Sequence, residues 1–427
     1  MENKFDVIVA GGGMAGFAAA AAAARESKKV LLIESSGALG GAASAGLVYP
    51  FARYRAKDEN GNIVDVNCGI FAYLLEKMQK LYSFNSEDYV AFHDAAFHHE
   101  ILKLALDEIT EEAGVNVLFH SFVTAADTLG DELKSVTVCN KSGCTTYSAR
   151  CFIDCTGDAD LVYLSGGSYH IGSSEDGLCQ PMTMCFRVGN VDVETYKKEN
   201  EKYWGMYAEA QKNGELPGLF GSLISFPFCD DGVVHFNSTR VIGCNPLDAA
   251  ELSKAEQEGR RQVYLTYSFL KEHCAAFKNS ILLSSASSIG VRESRVAEGE
   301  YTITADDILN CRKFEDSVAC GAYLLDIHNA KGSGVTLKEI NGIYYQIPYR
   351  SIVVKGKKNL LVAGRCISAT HEALGAVRAM PICCSAGEAA GISAAVYCEQ
   401  NDGNARLKTL SISEIKERIA KKGGKCD

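Results

Sequence analysis

The segment FDVIVAGGGMAGFAAAAAAAR (5–25) places a short apolar run, a glycine-rich turn and an alanine-rich run in direct succession. The apolar run (5–10) is typical of a buried parallel strand, and the alanines favour a helix with little side-chain bulk. Gly11, Gly13 and Gly16 fit the spacing G-x-G-x-x-G. The segment therefore predicts the strand–turn–helix unit of a doubly wound α/β fold.

Each glycine of this turn has a physical role. Gly11 permits the tight turn, Gly13 lets the backbone approach a diphosphate without a Cβ in the way, and Gly16 lets the helix pack closely on the sheet. The start of the helix, at Met14 and Ala15, offers backbone N–H groups and partial positive charge to an anion. The turn therefore predicts a site for the diphosphate of a dinucleotide.

A second strand and an acidic residue follow at the expected distance. The run VLLI (30–33) is typical of a buried strand, and Glu34 follows Gly16 by 18 residues. This is close to the spacing of about 20 residues at which an acid binds a ribose hydroxyl. The complete order of strand, turn, helix, strand and acid favours dinucleotide binding over a chance glycine turn.

The loop after Glu34 indicates which dinucleotide is bound. It reads SSGALGGAAS (35–44), with two adjacent glycines. This resembles the second fingerprint of FAD-binding flavoproteins with two dinucleotide folds, in which the doublet lets the chain pass close to the diphosphate and the ribitol. The resemblance implies noncovalent FAD as the cofactor, with a flexible Gly/Ala loop as the alternative. The residues that it places at the cofactor here are Ser35, Gly40, Gly41, Ala42 and Ser44.

The middle of the chain supplies a further motif. The expected elements are a helix over 98–114, a strand over 115–120 and a hairpin of 135–140 with 145–148. The run CFIDC (151–155) is typical of a buried strand and leads into Thr156, Gly157 and Asp158. Strand and T-G-D together resemble the central motif of the same flavoproteins, at the adenosine end of the cofactor. The resemblance also implies a contact from Val123.

A further predicted cofactor-binding segment lies far along the chain, at the apolar run NLLVAG (359–364). In the same flavoproteins an acid usually follows the glycine equivalent to Gly364 and binds the ribitol, so Arg365 is a departure. A Gly/Ala-rich helix is predicted over 382–397, with Pro381 at its first position. The resemblance implies that the start of this helix points at the flavin pyrimidine ring, stabilises negative charge there and so favours reduction.

Composition narrows the class of protein. The 427 residues carry 43 basic and 53 acidic side chains, a net charge of −10, which argues against general nucleic-acid binding. The 17 cysteines include no CxxC, so they are expected to be small core residues in a reducing compartment, with neither disulfides nor a metal site. With no secretory signal and no long apolar run, a cytoplasmic protein away from membranes is expected.

Strand–glycine turn–helix units are absent from the middle of the sequence, which predicts two domains. Residues 1–170 and 343–427 form a discontinuous FAD-binding domain, and 171–342 form an inserted α+β substrate or cap domain, to which 57–93 are a further candidate part. A helix of this inserted domain is predicted over 252–271. The chain has no second G-x-G-x-x-G unit, so a flavoprotein of the disulfide-reductase type with its own NAD(P)H domain is not expected.

The whole order of segments is similar to the FAD-dependent oxidoreductase family, above all in GVRESRVAEGEYTIT (290–304) and LLVAGRCISATHEALGAVRAMP (360–381). It is more distantly similar to fumarate reductases and GidA-type tRNA-modifying flavoproteins. The resemblance implies a Rossmann-like FAD-binding fold of the glutathione reductase type 2. It also implies hydride transfer between flavin N5 and a small organic substrate, with an unidentified electron donor or acceptor. A flavin monooxygenase, a GidA-like tRNA modifier and a non-catalytic FAD-binding protein remain alternatives.

Four residues are candidates for the chemistry. His371 is suited to proton exchange, and Arg378 and Arg292 to holding an anion or flavin negative charge, although a structural ion-pair network is the alternative for Arg292. Arg378 and Pro381 are also candidate cofactor contacts. Tyr49 is expected to pass near the isoalloxazine. A second set, His93, His98 and His99, is expected to have surface or capping roles and to bind no metal.

Overall fold

The computed structural model describes residues 3–81, 96–219, 221–400 and 403–427. The helices run over α1 (Met14–Arg25), α2 (Ile70–Leu81), α3 (His99–Glu112), α4 (Asp160–Leu164), α5 (Val193–Lys212), α6 (Ala249–His273), α7 (Ala305–Leu309), α8 (His371–Val377), α9 (Met380–Glu399) and α10 (Ile412–Lys421). The strands run over β1 (Lys4–Ala10), β2 (Val30–Ile33), β3 (Arg55–Lys57), β4 (Ile63–Asp65), β5 (Asn116–Leu118), β6 (Phe122–Leu129), β7 (Glu132–Asn140), β8 (Gly143–Asp154), β9 (Tyr169–Ile171), β10 (Phe186–Gly189), β11 (Ser225–Pro227), β12 (Val234–Phe236), β13 (Ile281–Ser285), β14 (Arg295–Ala297), β15 (Ser317–Gly321), β16 (Leu325–His328), β17 (Val335–Lys338), β18 (Tyr345–Pro348) and β19 (Leu360–Val362).

A seven-stranded sheet forms the centre of the molecule, in the order β5-β2-β1-β8-β7-β6, with β19 also paired to β8. The pairs β5–β2, β2–β1, β1–β8 and β8–β19 are parallel, with Val7 opposite both Val30 and Cys151. This is the strand arrangement of a doubly wound fold, in which ligands bind beyond the carboxyl ends of the strands. The strands predicted at 5–10 and 30–33 and the helix predicted at 98–114 are confirmed as β1, β2 and α3.

Two helices pack against each other on one face of this sheet. A Cβ on Gly387 of α9 would lie 2.1 Å from the carbonyl oxygen of Ala15 in α1, and a Cβ on Gly391 would lie 2.2 Å from that of Ala19. The backbones of α1 and α9 therefore approach more closely than any larger residue would permit. This contact fixes the start of α1 relative to the start of α9.

A second, antiparallel sheet has the order β11-β12-β10-β13. With α5 and α6 it forms a separate hydrophobic core, to which Phe186, Phe236 and Tyr203 contribute. Val296 and Leu325, although inside the predicted insert, pack into the core of the central sheet. The domain boundaries at 171 and 342 stay a prediction.

The predicted hairpin is confirmed, but its details differ from the expectation in two ways. Its second strand and the run CFIDC form one continuous strand, β8, whose first half pairs with β7 and whose end lies between β1 and β19. The expectation of no disulfide is wrong, because Cys139 and Cys144 are bonded. The two cysteines lie directly opposite each other on β7 and β8, a cross-strand position that their spacing in the sequence does not reveal.

Within the described ranges no single helix is long and apolar enough to span a membrane. The bent pair α8–α9 passes that test by length and composition only, and its halves meet at 91°. In the protein, α9 is buried from Met380 to Cys398 against neighbouring elements.

Candidate functional site

The turn between β1 and α1 is built from close backbone approaches. Gly11 has φ of +91°, and a Cβ there would lie 2.4 Å from the carbonyl oxygen of Cys155. A Cβ on Gly16 would lie 1.7 Å from the carbonyl oxygen of Gly11. Helix α1 begins at Gly13 without a side-chain cap and without an acid in its first turn. Its first backbone N–H groups, at Met14 and Ala15, therefore present positive potential that no side chain of the helix neutralises.

Gly13 differs from Gly11 and Gly16 in having open space where a side chain would begin. A Cβ on Gly13 would lie 4.0 Å from its nearest neighbour, the Cα of Gly41. Its φ of −64° and ψ of −177° suit any residue. Neither packing within the chain nor backbone conformation therefore requires glycine at this position. The requirement that remains is room for a ligand.

Glu34, at the end of β2, closes the same turn from the other side. Its Oε2 accepts a hydrogen bond from the backbone N–H of Gly12 at 2.6 Å, and its Oε1 accepts one from Ser36 at 2.7 Å. The hydroxyl of Ser35 lies 3.3 Å from Oε1. The carboxylate is thus fixed at the tip of the strand, where the sequence predicts a ribose contact.

The loop with the glycine doublet crosses directly over the turn. The backbone N–H of Gly40 donates to the carbonyl of Gly12 at 2.8 Å, and a Cβ on Gly41 would lie 3.0 Å from the Cα of Gly13. Both doublet glycines have positive φ, +105° and +53°. Ala42 and Ser44 continue this loop in a short 3₁₀ turn. The structure therefore brings the two predicted fingerprints together.

The T-G-D segment lies beside the same turn, because β8 is the neighbour of β1. Buried Asp154 holds its shape by accepting hydrogen bonds from Thr156 and from the backbone N–H of Val162. Burial raises the pKa of Asp154 to about 6, although these hydrogen bonds oppose the shift. Val123, on β6, pairs with Val138 and packs against the core of the central sheet, and its contact with the cofactor stays a prediction.

Arg365 is anchored by the T-G-D segment. Its guanidinium donates to Asp158 Oδ1 at 2.9 Å and to Ser294 Oγ at 2.8 Å. Gly364 has φ of +89°, and a Cβ there would lie 3.0 Å from that of Ala15. The position after Gly364, where an acid was expected, is occupied by Arg365. The acid that lies nearby is Asp158, which forms an ion pair with Arg365.

His371, the first residue of α8, pairs with Glu293. The distance from Nδ1 to Glu293 Oε1 is 2.8 Å, and Oε2 of the same buried carboxylate accepts the backbone N–H of Gln180 at 2.9 Å. Burial alone would lower the pKa of His371, but the hydrogen bond and the charge of Glu293 outweigh it and raise the pKa above its usual value. His371 also lines a cleft of about 240 Å³.

A group of ionisable residues, called here the arginine cluster, adjoins this pair. Its members are Arg240, Arg292, Arg378, Asp326 and His328. His328 lies 3.3 Å from both Arg240 and Asp326 and also lines the cleft. Arg378 reaches the carbonyl oxygen of Asp326 at 3.3 Å and the Oε1 of Gln180 at 3.4 Å.

Burial sets the protonation states within the arginine cluster. It lowers the pKa of Arg292 to about 10, with Arg378 adding to the shift, and it lowers that of His328 to about 3. Burial would raise the pKa of Asp326, but the hydrogen bond with His328 and the charge of Arg378 hold it below its usual range. At neutral pH the cluster therefore holds three cations, one carboxylate and a neutral imidazole.

Arg292 is held by Pro181 and Thr183, at 2.7 Å from the carbonyl oxygen and 2.6 Å from the hydroxyl. The predicted candidates His371, Arg378 and Arg292 thus fall in one region. Sequence reasoning missed Gln180, Asp326 and His328, because none belongs to a motif and each reaches the site through contacts distant in sequence. The alternation of polar and apolar residues in LDIH (325–328) is the signal that could have singled out the last two.

Tyr49 lies in a different group. Its ring is buried among Phe97, Phe228 and His235, with centroids 5.1 to 5.4 Å away. Its hydroxyl donates to the carbonyl of Pro227 at 3.2 Å. A role near the isoalloxazine stays a prediction.

The predicted histidine roles divide. His98 caps α3 by accepting from the backbone N–H of Glu100 at 3.2 Å, which confirms a capping role. The surface or capping role is wrong for His99, which is fully buried on the same helix face as Leu102 and Leu106. His93 lies outside the described residues, and the described part of the chain holds no group of three or more residues able to bind a metal.

Helix α9 follows Arg378 of the arginine cluster; its N-cap residue is Ala379, with proline in the first turn and no side-chain cap. Together with the glycine turn, the acid after β2 and the parallel strand order, this arrangement defines a dinucleotide-binding protein of the doubly wound class.

The chain belongs to the FAD dependent oxidoreductase family, whose model matches residues 6–419. It is therefore an FAD-dependent enzyme. Among curated proteins no significant match is found.

Two of the solved structures with a similar chain course cover nearly all of this chain. One is a geranylgeranyl bacteriochlorophyll reductase-like protein from Thermoplasma acidophilum, with 13% identity and a TM-score of 0.49 over 98% of this chain and 84% of that chain. The other is p-nitrophenol 4-monooxygenase from Pseudomonas putida, with 10% identity and a TM-score of 0.45 over the same shares. Both TM-scores lie below 0.5, so the fold assignment rests on the strand order and on the family.

The residues present fit FAD. The open space at Gly13, the uncapped start of α1 and the loop at Gly40 and Gly41 suit a diphosphate, and the fixed carboxylate of Glu34 suits a ribose. The uncapped start of α9 could face a group that carries negative charge.

Proposed function

We propose that this enzyme is a dehydrogenase or reductase of a small organic anion, which it binds at the arginine cluster and whose proton it exchanges at His371. The observation that carries the proposal is the placement of the His371–Glu293 pair beside the arginine cluster, with His371 and His328 lining one cleft. FAD, when bound, supplies the two-electron redox step by accepting or donating a hydride at N5.

The charge balance of the arginine cluster supports an anionic substrate. Its three guanidinium groups face one carboxylate, since His328 is neutral. Two buried donors there, Nε of Arg378 and Nε2 of Gln180, have no hydrogen-bond partner among the described residues. Buried donors without partners are costly, and an anionic oxygen would satisfy them.

The geometry of His371 supports proton exchange. Glu293 holds Nδ1 and thereby fixes the ring, which leaves Nε2 as the atom that gives or takes a proton. Because Glu293 raises the pKa of His371, the imidazolium form persists to higher pH than in a free histidine, and the ring can act as an acid near neutrality.

The test is an anaerobic screen of the FAD-loaded enzyme. Small carboxylic acids and their neutral amides are mixed with it, and bleaching of the flavin absorbance is followed. We expect an acid, and not its amide, to bleach the flavin. Bleaching by neutral compounds alone would contradict the proposal.

Two variants then locate the chemistry. His371→Gln should retain FAD and slow bleaching by about a hundredfold or more, because proton exchange is lost. Arg378→Met should retain FAD and weaken substrate binding by about tenfold or more, because a charge-assisted hydrogen bond is lost. The matched control is Arg261→Met, an exposed arginine on α6. Wild-type kinetics in both site variants would remove this assignment.

A further inference from the structure

The two faces of the second sheet differ in chemistry. Phe186 and Phe236 stack at 4.8 Å on the face that packs into the core with α5 and α6. The residues that alternate with them point the other way. On that opposite face Arg187 lies across from His235, and His235 across from Phe226, in one row over three strands.

Residues from the first part of the chain cover this row. The ring of Tyr49 lies 5.1 Å from that of His235, and the ring of His99 lies 6.1 Å from His235 and nearly parallel to it, at 18°. The Arg187 guanidinium lies over the ring of Phe228 at 4.2 Å. With Phe97, which lies 4.7 Å from His99, these side chains form what is called here the His–Arg site.

Several polar atoms of the His–Arg site have no hydrogen-bond partner among the described residues. His99 and His235 are both 0% exposed. Neither ring nitrogen of His235 or of His99, nor Nε and Nη2 of Arg187, makes a hydrogen bond of ordinary geometry to any residue within the described ranges. His99 and His235 are thus buried against aromatic rings, and Arg187 beside them is half-buried with two of its three nitrogens unpartnered among the described residues. Arg187 and His235 lie on strands whose opposite face carries phenylalanine and valine.

Charge and shape define what would satisfy this site. Burial lowers the pKa of His235 to about 3, with Arg187 adding to the shift, and the pKa of His99 is lowered chiefly by burial too. Both rings are therefore neutral, each with one N–H donor, and Arg187 is the charge of the site. Its Nε and Nη2, which no described residue binds, suit an anionic oxygen, and Glu100 and Asp230 are the carboxylates that already act on its charge. The surrounding rings suit a flat, unsaturated body.

The His–Arg site is connected to the predicted cofactor cradle. Leu106 of α3 lies against Gly40, at 3.2 Å from where its Cβ would be. His99 lies seven residues earlier on the same helix, about 10 Å along its axis. Tyr49 follows the doublet loop in sequence, and Val48 donates its N–H to the carbonyl of Ala42 at 2.9 Å.

We infer that Arg187, His235 and His99 form a binding site for an aromatic carboxylate or phenolate group of the substrate, distinct from the anionic group that the proposed function places at the arginine cluster. Arg187 binds the anionic oxygen, the two imidazoles donate further hydrogen bonds, and Tyr49 and Phe228 pack on the ring. The inference rests on the proposed function in calling this ligand a substrate. Binding alone tests the site itself, because it needs no turnover.

The experiment titrates the FAD-loaded enzyme with benzoate and follows the flavin absorbance and fluorescence, with isothermal calorimetry as a second readout. Benzamide has the same shape without the charge, and cyclohexanecarboxylate has the charge without the aromatic ring. Arg187→Met and His235→Phe are compared with Arg261→Met. We expect benzoate to bind more tightly than both analogues, and Arg187→Met to weaken it by about tenfold or more.

Four results would overturn the inference. Benzoate that binds no better than benzamide, or equally well to Arg187→Met and wild type, would show that Arg187 binds no anion. Loss of FAD from Arg187→Met and His235→Phe, with the fold retained by circular dichroism, would assign the site to the cofactor. Arg378→Met separates this inference from the proposed function: benzoate binding that is lost there and kept in Arg187→Met would place the aromatic anion at the arginine cluster.

Discussion

At the scale of single residues, buried ionisable groups are set by what lies against them. Glu388, in the middle of α9, is 2% exposed and accepts one hydrogen bond, from the backbone N–H of Ile70 at 3.2 Å. Burial raises its pKa to about 7, and that hydrogen bond together with Arg25 and Lys422 opposes the shift. No motif marks Glu388, since its environment is made by α2 and the chain end.

Glu388 makes the stability of the protein depend on pH. The folded state keeps its proton up to about pH 7, whereas the unfolded state loses it near the ordinary value of 4.5. The unfolded state thus binds fewer protons between these values, and the stability of the wild type falls as the pH rises through this window. Glu388→Gln cannot titrate. Its free energy of unfolding relative to wild type should rise by up to about 3 kcal/mol from pH 4.5 to 8 in urea denaturation. A difference that does not change with pH would contradict this prediction.

The residues of the candidate site were predictable only in part. Glycines, Glu34 and His371 stand in motifs, because local backbone geometry and strand ends fix their roles. Gln180, Asp326 and Arg187 do not, because their roles depend on which distant strands and loops they meet. The burial of His99 was missed for the same reason.

At the scale of elements, the contact between α1 and α9 determines where both helix starts lie. The alanines of α1 and the glycines of α9 were visible in the sequence, and each helix was predicted. The contact between the two helices was not predicted, because small residues indicate close packing without indicating which element packs against them. Gly391 packs against Ala19 and Ala22.

Two glycine substitutions separate helix propensity from close packing. Gly391→Ala should lower the free energy of unfolding by about 1–3 kcal/mol, because its Cβ collides with α1. Gly205→Ala, in the exposed middle of α5 with nothing within 4 Å of the added Cβ, should raise it by about 0.5–1 kcal/mol through helix propensity alone. Both are measured by chemical denaturation. Equal effects of the two would mean that α1 and α9 are not in tight contact.

At the scale of the whole molecule, the central sheet was predictable from its motifs, and the second sheet was not. The short strands β10, β11 and β12 alternate over only three or four residues, and they are stabilised by pairing across long intervals of sequence. The cross-strand disulfide was missed for another reason: Cys139 and Cys144 are close in sequence, and only the register of β7 and β8 places them opposite each other. The FAD dependent oxidoreductase family, to which the chain belongs, was recognisable from the central sheet, because its glycine motifs and strand ends are short local patterns in the sequence.

Binding of FAD at the glycine turn is the central claim, and Gly13→Ala tests it most directly. The added Cβ meets nothing closer than 4.0 Å in the chain, so the unliganded variant should unfold within about 1 kcal/mol of wild type, the change expected at a helix N-cap. FAD titrated into both unliganded proteins and followed by flavin fluorescence should bind the wild type and bind Gly13→Ala about tenfold more weakly or worse, a change of about 1.4 kcal/mol. Equal affinity of the two proteins for FAD would contradict the account.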